Sequence, residues 1–334
     1  MSKYSPIDKI ISQATTIVVL QADNPDGDSL GSSLGLEAIL SDMGKTVIMV
    51  CSIDMPAHLK YLNGWDRVVK DIPQQFDATI IVDTSTESLF ENASGNRGFE
   101  WIKTKPLIVL DHHTDSSGIS FATHSYNEPL SATGELIFKI ASDLNWPLPL
   151  DGLEMLATSI MSDSLGLTTE SATAETFKTM ASLVEKGVSL AKLDSLRREL
   201  MKKNPVLIPY KGKLLQRVEF SSNGKIASVT IPWNEIQEFS PLYNPTMLVI
   251  DDMRMTEGVV IAIGYKVYSD GKITAKLRAN YGFPIAGDLA AEFGGGGHKY
   301  AAGFKILKAT EIKDLKARVN KKVDELLSNL PKKG

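Results

Sequence analysis

The sequence predicts an α/β protein: an N-terminal, doubly wound, mainly parallel sheet, followed by a smaller C-terminal α+β domain. Three observations carry this reading. Short β-branched apolar runs alternate with helical stretches through the first half, the pattern of a parallel sheet with crossover helices. Several of these runs end in Asp or His, at the sheet edge where open α/β folds hold their ligands. From about Tyr210 the texture changes to closely spaced short strands, with Ser269-Asp270-Gly271 as a hairpin signal.

The elements follow in order. Thr16–Leu20 is apolar and β-branched, a buried strand. Residues 21–28 are rich in Asp, Asn, Pro and Gly and form a tight loop. Ser29 opens a helix whose apolar side is Leu30, Leu34, Leu36, Ile39 and Leu40. Gly44 stops it, and 46–51 is the next strand. A short helix is expected over 56–62. Two further strands, 78–82 and 106–110, end in Asp83 and in Asp111-His112-His113. An amphipathic helix spans 131–144. Another runs from 151 to 160, N-capped by Asp151, which puts Asp163 at a helix end or in the turn after it. Helices over 174–186 and 191–201 follow, the second rich in Lys and Arg and suited to link two halves. Beyond it, strands are expected at 214–220, 226–231, 247–251, 258–268 and 272–279. A helix over 285–293, the run Gly294-Gly295-Gly296-Gly297-His298, a strand near 302–307 and a charged helix over 309–330 complete the chain. The expected domains are 1–187, a linker helix over 188–209, and 210–334.

A chain of 334 residues has room for two cores. No apolar run is long enough to span a bilayer, and the first residues lack the apolar core of a signal peptide. The single cysteine, Cys51, cannot form an internal disulfide and sits in an apolar strand, as in a reducing compartment. A cytoplasmic enzyme with no membrane partner is therefore expected. Charge is uneven: residues 1–190 carry 12 Lys+Arg against 25 Asp+Glu, and 191–334 carry 24 against 15. An acidic half suits cations and a basic half suits a phosphorylated ligand. Docking of two oppositely charged domains explains the asymmetry equally well.

The chemistry gathers at the strand ends. Asp26, Asp28, Asp83 and His112 (or His113) follow strands on one sheet edge, with Asp163 at a helix end. Each aspartate alone is an ordinary turn or cap residue. Together, carboxylates with an imidazole suit Mn²⁺, Mg²⁺ or similar ions, and there is no thiolate set for structural zinc. Four carboxylates exceed the usual need of one cation, which points to two metals about 3.5–4 Å apart, an arrangement suited to phosphoryl transfer.

Three segments, 24–32, Asp111-His112-His113 and 294–303, resemble the DHH–DHHA1 phosphoesterases. Within them the chain is similar to the bacterial nanoRNase/pAp-phosphatase group, with single-strand exonucleases and cyclic-dinucleotide phosphodiesterases as relatives. The resemblance covers nearly the whole chain in the expected order. It implies Asp26, Asp28, Asp83, His112 and Asp163 as ligands of two divalent metals, Mn²⁺ first and Mg²⁺ second. Asp83 would bridge them. It implies Asp111 and His113 as the catalytic pair, Asp111 as the partner of the metal-binding His112 and His113 facing the phosphate. Arg278, with Gly295, Gly296, Gly297 and His298, would clamp the substrate, the glycine backbone N–H groups approaching phosphate oxygens. A homodimer is also implied.

One position departs from the family. Its members carry a histidine four residues before the first aspartate of the loop, and here that residue is Ala22, between Gln21 and Asp23. Either neighbour substitutes, or water does, or one metal site is weakened. The expected activity is hydrolysis of short oligoribonucleotides, pAp-type nucleotides or both by metal-activated water. The alternatives are cleavage of a cyclic dinucleotide or its linear product, single-strand exonuclease activity, and nucleotide binding with impaired catalysis.

Overall fold

A computed structural model describes residues 2–95, 97–113, 118–307 and 310–330. The chain divides into two units, Met1–Lys202 and Lys203–Gly334. In the first, β1 (Thr16–Leu20), β2 (Thr46–Val50), β3 (Ala78–Val82), β4 (Leu107–Asp111) and β5 (His124–Asn127) pair in parallel, in the order β2-β1-β3-β4-β5. The helices are α1 (Ser5–Gln13), α2 (Gly27–Asp42), α3 (Glu91–Ser94), α4 (Arg97–Ile102), α5 (Thr133–Asp143), α6 (Leu150–Asp163), α7 (Ala174–Glu185) and α8 (Leu190–Leu200). Side chains alternate across β1: Ile17 and Val19 join one core with α1, α2, α5 and α6, while Val18 and Leu20 join another with α3 and α4. Cores on both faces make the sheet doubly wound, as its near-continuous apolar strands require.

Helix α2 is buried on every side from Gly27 to Leu36. Two glycines let α6 lie close against it. A Cβ on Gly31 would stand 2.9 Å from the Met155 carbonyl oxygen, and one on Gly35 would stand 2.5 Å from Leu156 Cδ2. The strand order reverses between β1 and β3, and the loops leaving these two strands carry Asp26, Asp28 and Asp83.

The second unit contains α9 (Leu207–Gln216), β6 (Glu219–Ser221), β7 (Ile226–Ile231), α10 (Trp233–Phe239), α11 (Pro245–Arg254), β8 (Ile261–Val267), β9 (Ile273–Ala279), α12 (Ala286–Glu292), β10 (Gly296–His298), β11 (Ala301–Ile306) and α13 (Ile312–Ser328). Its sheet runs β10-β11-β9-β8-β7-β6, antiparallel except for β7 with β8. Residues of α12 and α13 pack on one face, and those of α9, α10 and α11 pack on β7 and β8 from the other.

Several local expectations are corrected. Residues 247–251 are helical, not extended: Asn244 accepts the Thr246 N–H, Pro245 starts the helix, and Leu248, Val249, Ile250 and Met253 are buried. A five-residue apolar run cannot by itself separate strand from buried helix. Residues 214–220 hold the last turn of α9 and then β6, since Leu207, Tyr210 and Leu214 form a buried helical face. The helix expected over 56–62 is a single 3₁₀ turn, Ala57–Leu59. Pro149, not Asp151, precedes the first turn of α6. Ala309, expected to begin the last helix, lies outside the described residues. Among the described residues no helix is long and apolar enough to cross a membrane.

Candidate functional site

At the carboxyl edge of the first sheet lies a cavity of about 620 Å³, lined among others by Ala22, Asp26, Asp83, Asp111, His112 and His113. Each wall has a local origin. Asp26 is the N-cap of α2: its Oδ1 accepts the N–H groups of Asp28 and Ser29 at 2.9 and 3.0 Å. Asp28, in the first turn of the helix, is buried and accepts the Thr133 N–H at 2.8 Å, the Ser159 hydroxyl at 2.5 Å and the Ser32 hydroxyl at 3.0 Å. The N-terminus of α5 thus points at Asp28 and favours its negative charge. Asp83 leaves β3 with φ +62°, a left-handed conformation that costs a non-glycine residue about 1–3 kcal/mol and is concentrated at functional sites.

His112 is the centre of the arrangement. Its Nδ1 donates to the Leu130 carbonyl oxygen at 3.1 Å, so Nε2 presents a lone pair. Among the described residues that buried nitrogen has no hydrogen-bond partner. Around it stand Asp28 Oδ2 at 3.5 Å, Asp83 Oδ1 at 3.5 Å and Asp163 Oδ2 at 3.4 Å. A lone pair facing three carboxylate oxygens is repulsive unless a cation lies between them. Donors about 2.0–2.2 Å from a common ion stand roughly 3–3.5 Å apart, so the spacing fits a divalent metal. Burial, then the charges of Asp28 and Asp26, pushes the Asp83 carboxyl well above its ordinary range. Asp163 is raised by burial and by Asp28. A divalent ion would relieve both.

The neighbouring His113 is half-exposed and differently held. Its Nδ1 lies 2.7 Å from Asp111 Oδ1, and this hydrogen bond outweighs burial and raises the imidazole pKa. Asp111 is fully buried, and the histidine it holds is His113 rather than the expected His112, whose Nδ1 is taken by Leu130. Burial pushes its carboxyl up, but hydrogen bonds from His113 and Ser85 outweigh this and hold it below the usual range. The first unit therefore brings Asp28, Asp83, Asp111, His112, His113 and Asp163 together, with Asp26 in the same cavity wall. Neither Gln21 nor Asp23 lines the cavity beside Ala22. Gln21 is buried with both amide atoms unpartnered, and Asp23 Oδ2 accepts the Asn92 N–H at 2.7 Å.

Sequence reasoning passed over Asn127 and Ser85. Asn127 Nδ2 donates to Ser85 Oγ at 2.7 Å, to Asp111 Oδ2 at 3.2 Å and to the His113 carbonyl oxygen at 3.3 Å. Its strand, β5, is the polar segment His124-Ser125-Tyr126-Asn127, which lacks the apolar run that revealed the others. Pairing of β5 with β4 sets Asn127 opposite Asp111.

In the second unit, Arg278, Ala301 and His298 stand side by side across β9, β11 and β10. Two of the expected clamp glycines are also demanded by backbone packing. A Cβ on Gly295 would meet the Gly303 carbonyl oxygen at 2.2 Å, and one on Gly297 would meet Ala302 Cα at 2.6 Å. Gly296 faces open space.

Two family profiles match the chain: the DHH family, N-terminal domain, over residues 16–160, and the DHHA1 domain over residues 245–325. The chain belongs to the DHH–DHHA1 family. This DHH–DHHA1 chain is 26% identical over 308 residues to the bifunctional oligoribonuclease and PAP phosphatase NrnA of Thermus thermophilus, covering 91% of this chain and 88% of that protein. It is 22% identical over 302 residues to the protein of the same name from Bacillus subtilis, covering 89% and 91%. The crystal structure of an exopolyphosphatase-related protein from Bacteroides fragilis shares the fold, with a TM-score of 0.80 at 21% identity over 98% of this chain and 100% of that one.

Proposed function

We propose that this DHH–DHHA1 protein is a metal-dependent phosphoesterase that hydrolyses short oligoribonucleotides and pAp-type nucleotides. The observation that carries the reading is the buried, unpartnered His112 Nε2 with three carboxylate oxygens at 3.4–3.5 Å. The names of the Thermus and Bacillus relatives, oligoribonuclease and PAP phosphatase, support the choice of substrates. In this reading Asp26, Asp28, Asp83, His112 and Asp163 hold two divalent ions, Mn²⁺ before Mg²⁺. Bound there, divalent ions acidify a water and offset the charge of a phosphoryl group.

The chain's own residues do the rest. Asp111 accepts the Nδ1–H of His113 and raises its pKa, so that the imidazolium turns its Nε2–H outward, where it donates to a phosphate oxygen as charge develops. Asn127 and Ser85 hold the second oxygen of Asp111, which fixes the orientation of the ring. Thr84 and Thr86, in the wall of the same cavity, offer hydroxyl donors to the substrate. Arg278, Gly295, Gly296, Gly297 and His298 hold the nucleotide in the second unit. The enzyme works in the cytoplasm, in keeping with one buried, unoxidised Cys51.

Hydrolysis of a 5′-phosphorylated RNA dinucleotide, pAp, cyclic di-AMP and a long single strand, each with and without Mn²⁺, tests the reading. Mn²⁺-dependent release of mononucleotides from the dinucleotide and of phosphate from pAp is expected. Turnover confined to the cyclic dinucleotide or the long strand would overturn the substrate choice. Tight binding with no turnover would show that Ala22 has cost the protein its activity.

A further inference from the structure

We propose that the strip over β9 and β11, on the face of the second sheet that α11 covers at β8, holds the phosphate chain of an oligonucleotide longer than a dinucleotide, through Lys276 and Lys305. This rests on the reading that the substrate is RNA. The argument starts from the register of the sheet. On β9, Ile273, Ala275, Leu277 and Ala279 are buried in the core, so Thr274, Lys276 and Arg278 belong to the other face. Directly paired residues share a face. Thr274 therefore stands between Lys266 of β8 and Lys305 of β11, and Lys276 stands between Gly264 and Gly303. Arg278 has Ala301 beside it, and beyond Ala301 comes His298.

Cations thus occupy three successive rungs, each about 6.8 Å from the next, a step comparable with that between phosphates of an extended strand. The floor among them is small: Ala301 and Gly303 on β11, and Gly296 on β10, where an added Cβ would meet nothing within 4 Å. Lys276 and Lys305 are exposed, and among the described residues neither pairs with a carboxylate. Burial, then the nearby charge of Lys276, depresses the Lys266 ammonium. Cations crowded together without an acid are a cost that a polyanion removes.

Guarding a sheet edge does not explain these lysines. The edges are β10 and β6, whereas β9 and β11 are interior strands. At the Lys266 end, its Nζ reaches Ser240 just beyond α10, and half-exposed Trp233 at the start of that helix lies 5.7 Å from Tyr268. That aromatic pair gives a base a surface to stack on, which a purely inorganic phosphate chain would not use.

The test uses the full chain and a fluorescein-labelled pentaribonucleotide, with anisotropy read in EDTA so that binding is seen without turnover. The variants are Lys276→Ala/Lys305→Ala and Lys276→Arg; both positions are exposed. The double variant should weaken pentanucleotide binding about tenfold and lower the slope of log K against log salt by about 1.4, two single-strand phosphate contacts. Lys276→Arg should bind like the wild type, and the KM for a dinucleotide in Mn²⁺ should move by less than about twofold in either. Inorganic polyphosphate of equal charge should compete poorly. An unchanged pentanucleotide affinity, an equal loss for the dinucleotide, or equal competition by polyphosphate would overturn the proposal. Failure of the wild type to hydrolyse any RNA would instead overturn the reading of the substrate, and the anisotropy result would stand apart from it.

Discussion

At the scale of single residues, the site is a contrast between two adjacent histidines. The His112 side chain is 9% exposed, with its Nδ1–H committed to a backbone carbonyl and its lone pair facing a ring of carboxylates. His113 is half-exposed, with its Nδ1–H committed to Asp111 and its other nitrogen outward. With Nδ1 committed in both rings, it is the surroundings of Nε2, three carboxylates for His112 and the open cavity for His113, that suit the first to a metal and the second to a substrate. Asn127 supports the second arrangement without facing the reaction. Asn127→Ala should lower kcat about 10–100-fold while KM stays near its wild-type value, as for other residues that orient a catalytic histidine. Steady-state kinetics on the dinucleotide check this, and an equal rise in KM would show that Asn127 binds substrate instead. The aspartates and histidines were legible in the sequence because each follows an apolar strand or lies at a helix end. Asn127 was not, because its strand is polar and its role arises only when β5 pairs with β4.

At the scale of elements, the site depends on how closely helices approach. Asp28 on α2 and Asp163 at the end of α6 meet His112 because the glycines of α2 bring the two helices together. Gly31→Val should destabilise the first unit by about 1–3 kcal/mol through overpacking, measured by urea unfolding. It should also weaken Mn²⁺ binding, since α6 carries Asp163. A second joint ties α1 to the sheet. Glu128, just past β5, pairs with Lys3 and Lys139, each at 2.7 Å, and accepts the Tyr4 hydroxyl. Burial raises the Glu128 carboxyl, but its hydrogen bonds from Lys139, Lys3 and Tyr4 outweigh this and bring it to about 2 from an ordinary 4.5. The lowered group stabilises the fold above the unfolded value and ceases to do so as pH falls through the folded one. The stability difference between wild type and Glu128→Gln should therefore be full at pH 7, shrink below about pH 4.5 and vanish near about pH 2. A difference constant with pH would contradict it. The misread segments belong to this scale too. Residues 247–251 read as a strand because five apolar residues fit either period, and the cap at Asn244 decided for helix.

At the scale of the whole molecule, the alternation of strands and helices made the doubly wound sheet legible, and the charge imbalance marked two different halves. Topology supplies what composition cannot. The reversal between β1 and β3 gathers loops far apart in sequence into one acidic cavity. In the second unit, register alone reveals that alternate residues of β9 separate a core from a cationic face. The departure at Ala22 concerns the molecule as a catalyst: the cavity wall lacks the histidine that the family resemblance expects there, while Asp28, His112 and Asp163 stand together.

The most direct measurement is kcat/KM for the 5′-phosphorylated RNA dinucleotide as a function of free Mn²⁺, in the wild type and in His112→Ala. The account expects no turnover after EDTA treatment, full recovery on adding Mn²⁺, and a loss on the order of 10³-fold or more in the variant at any Mn²⁺ concentration. Turnover that persists in EDTA, or that survives in His112→Ala, would contradict it.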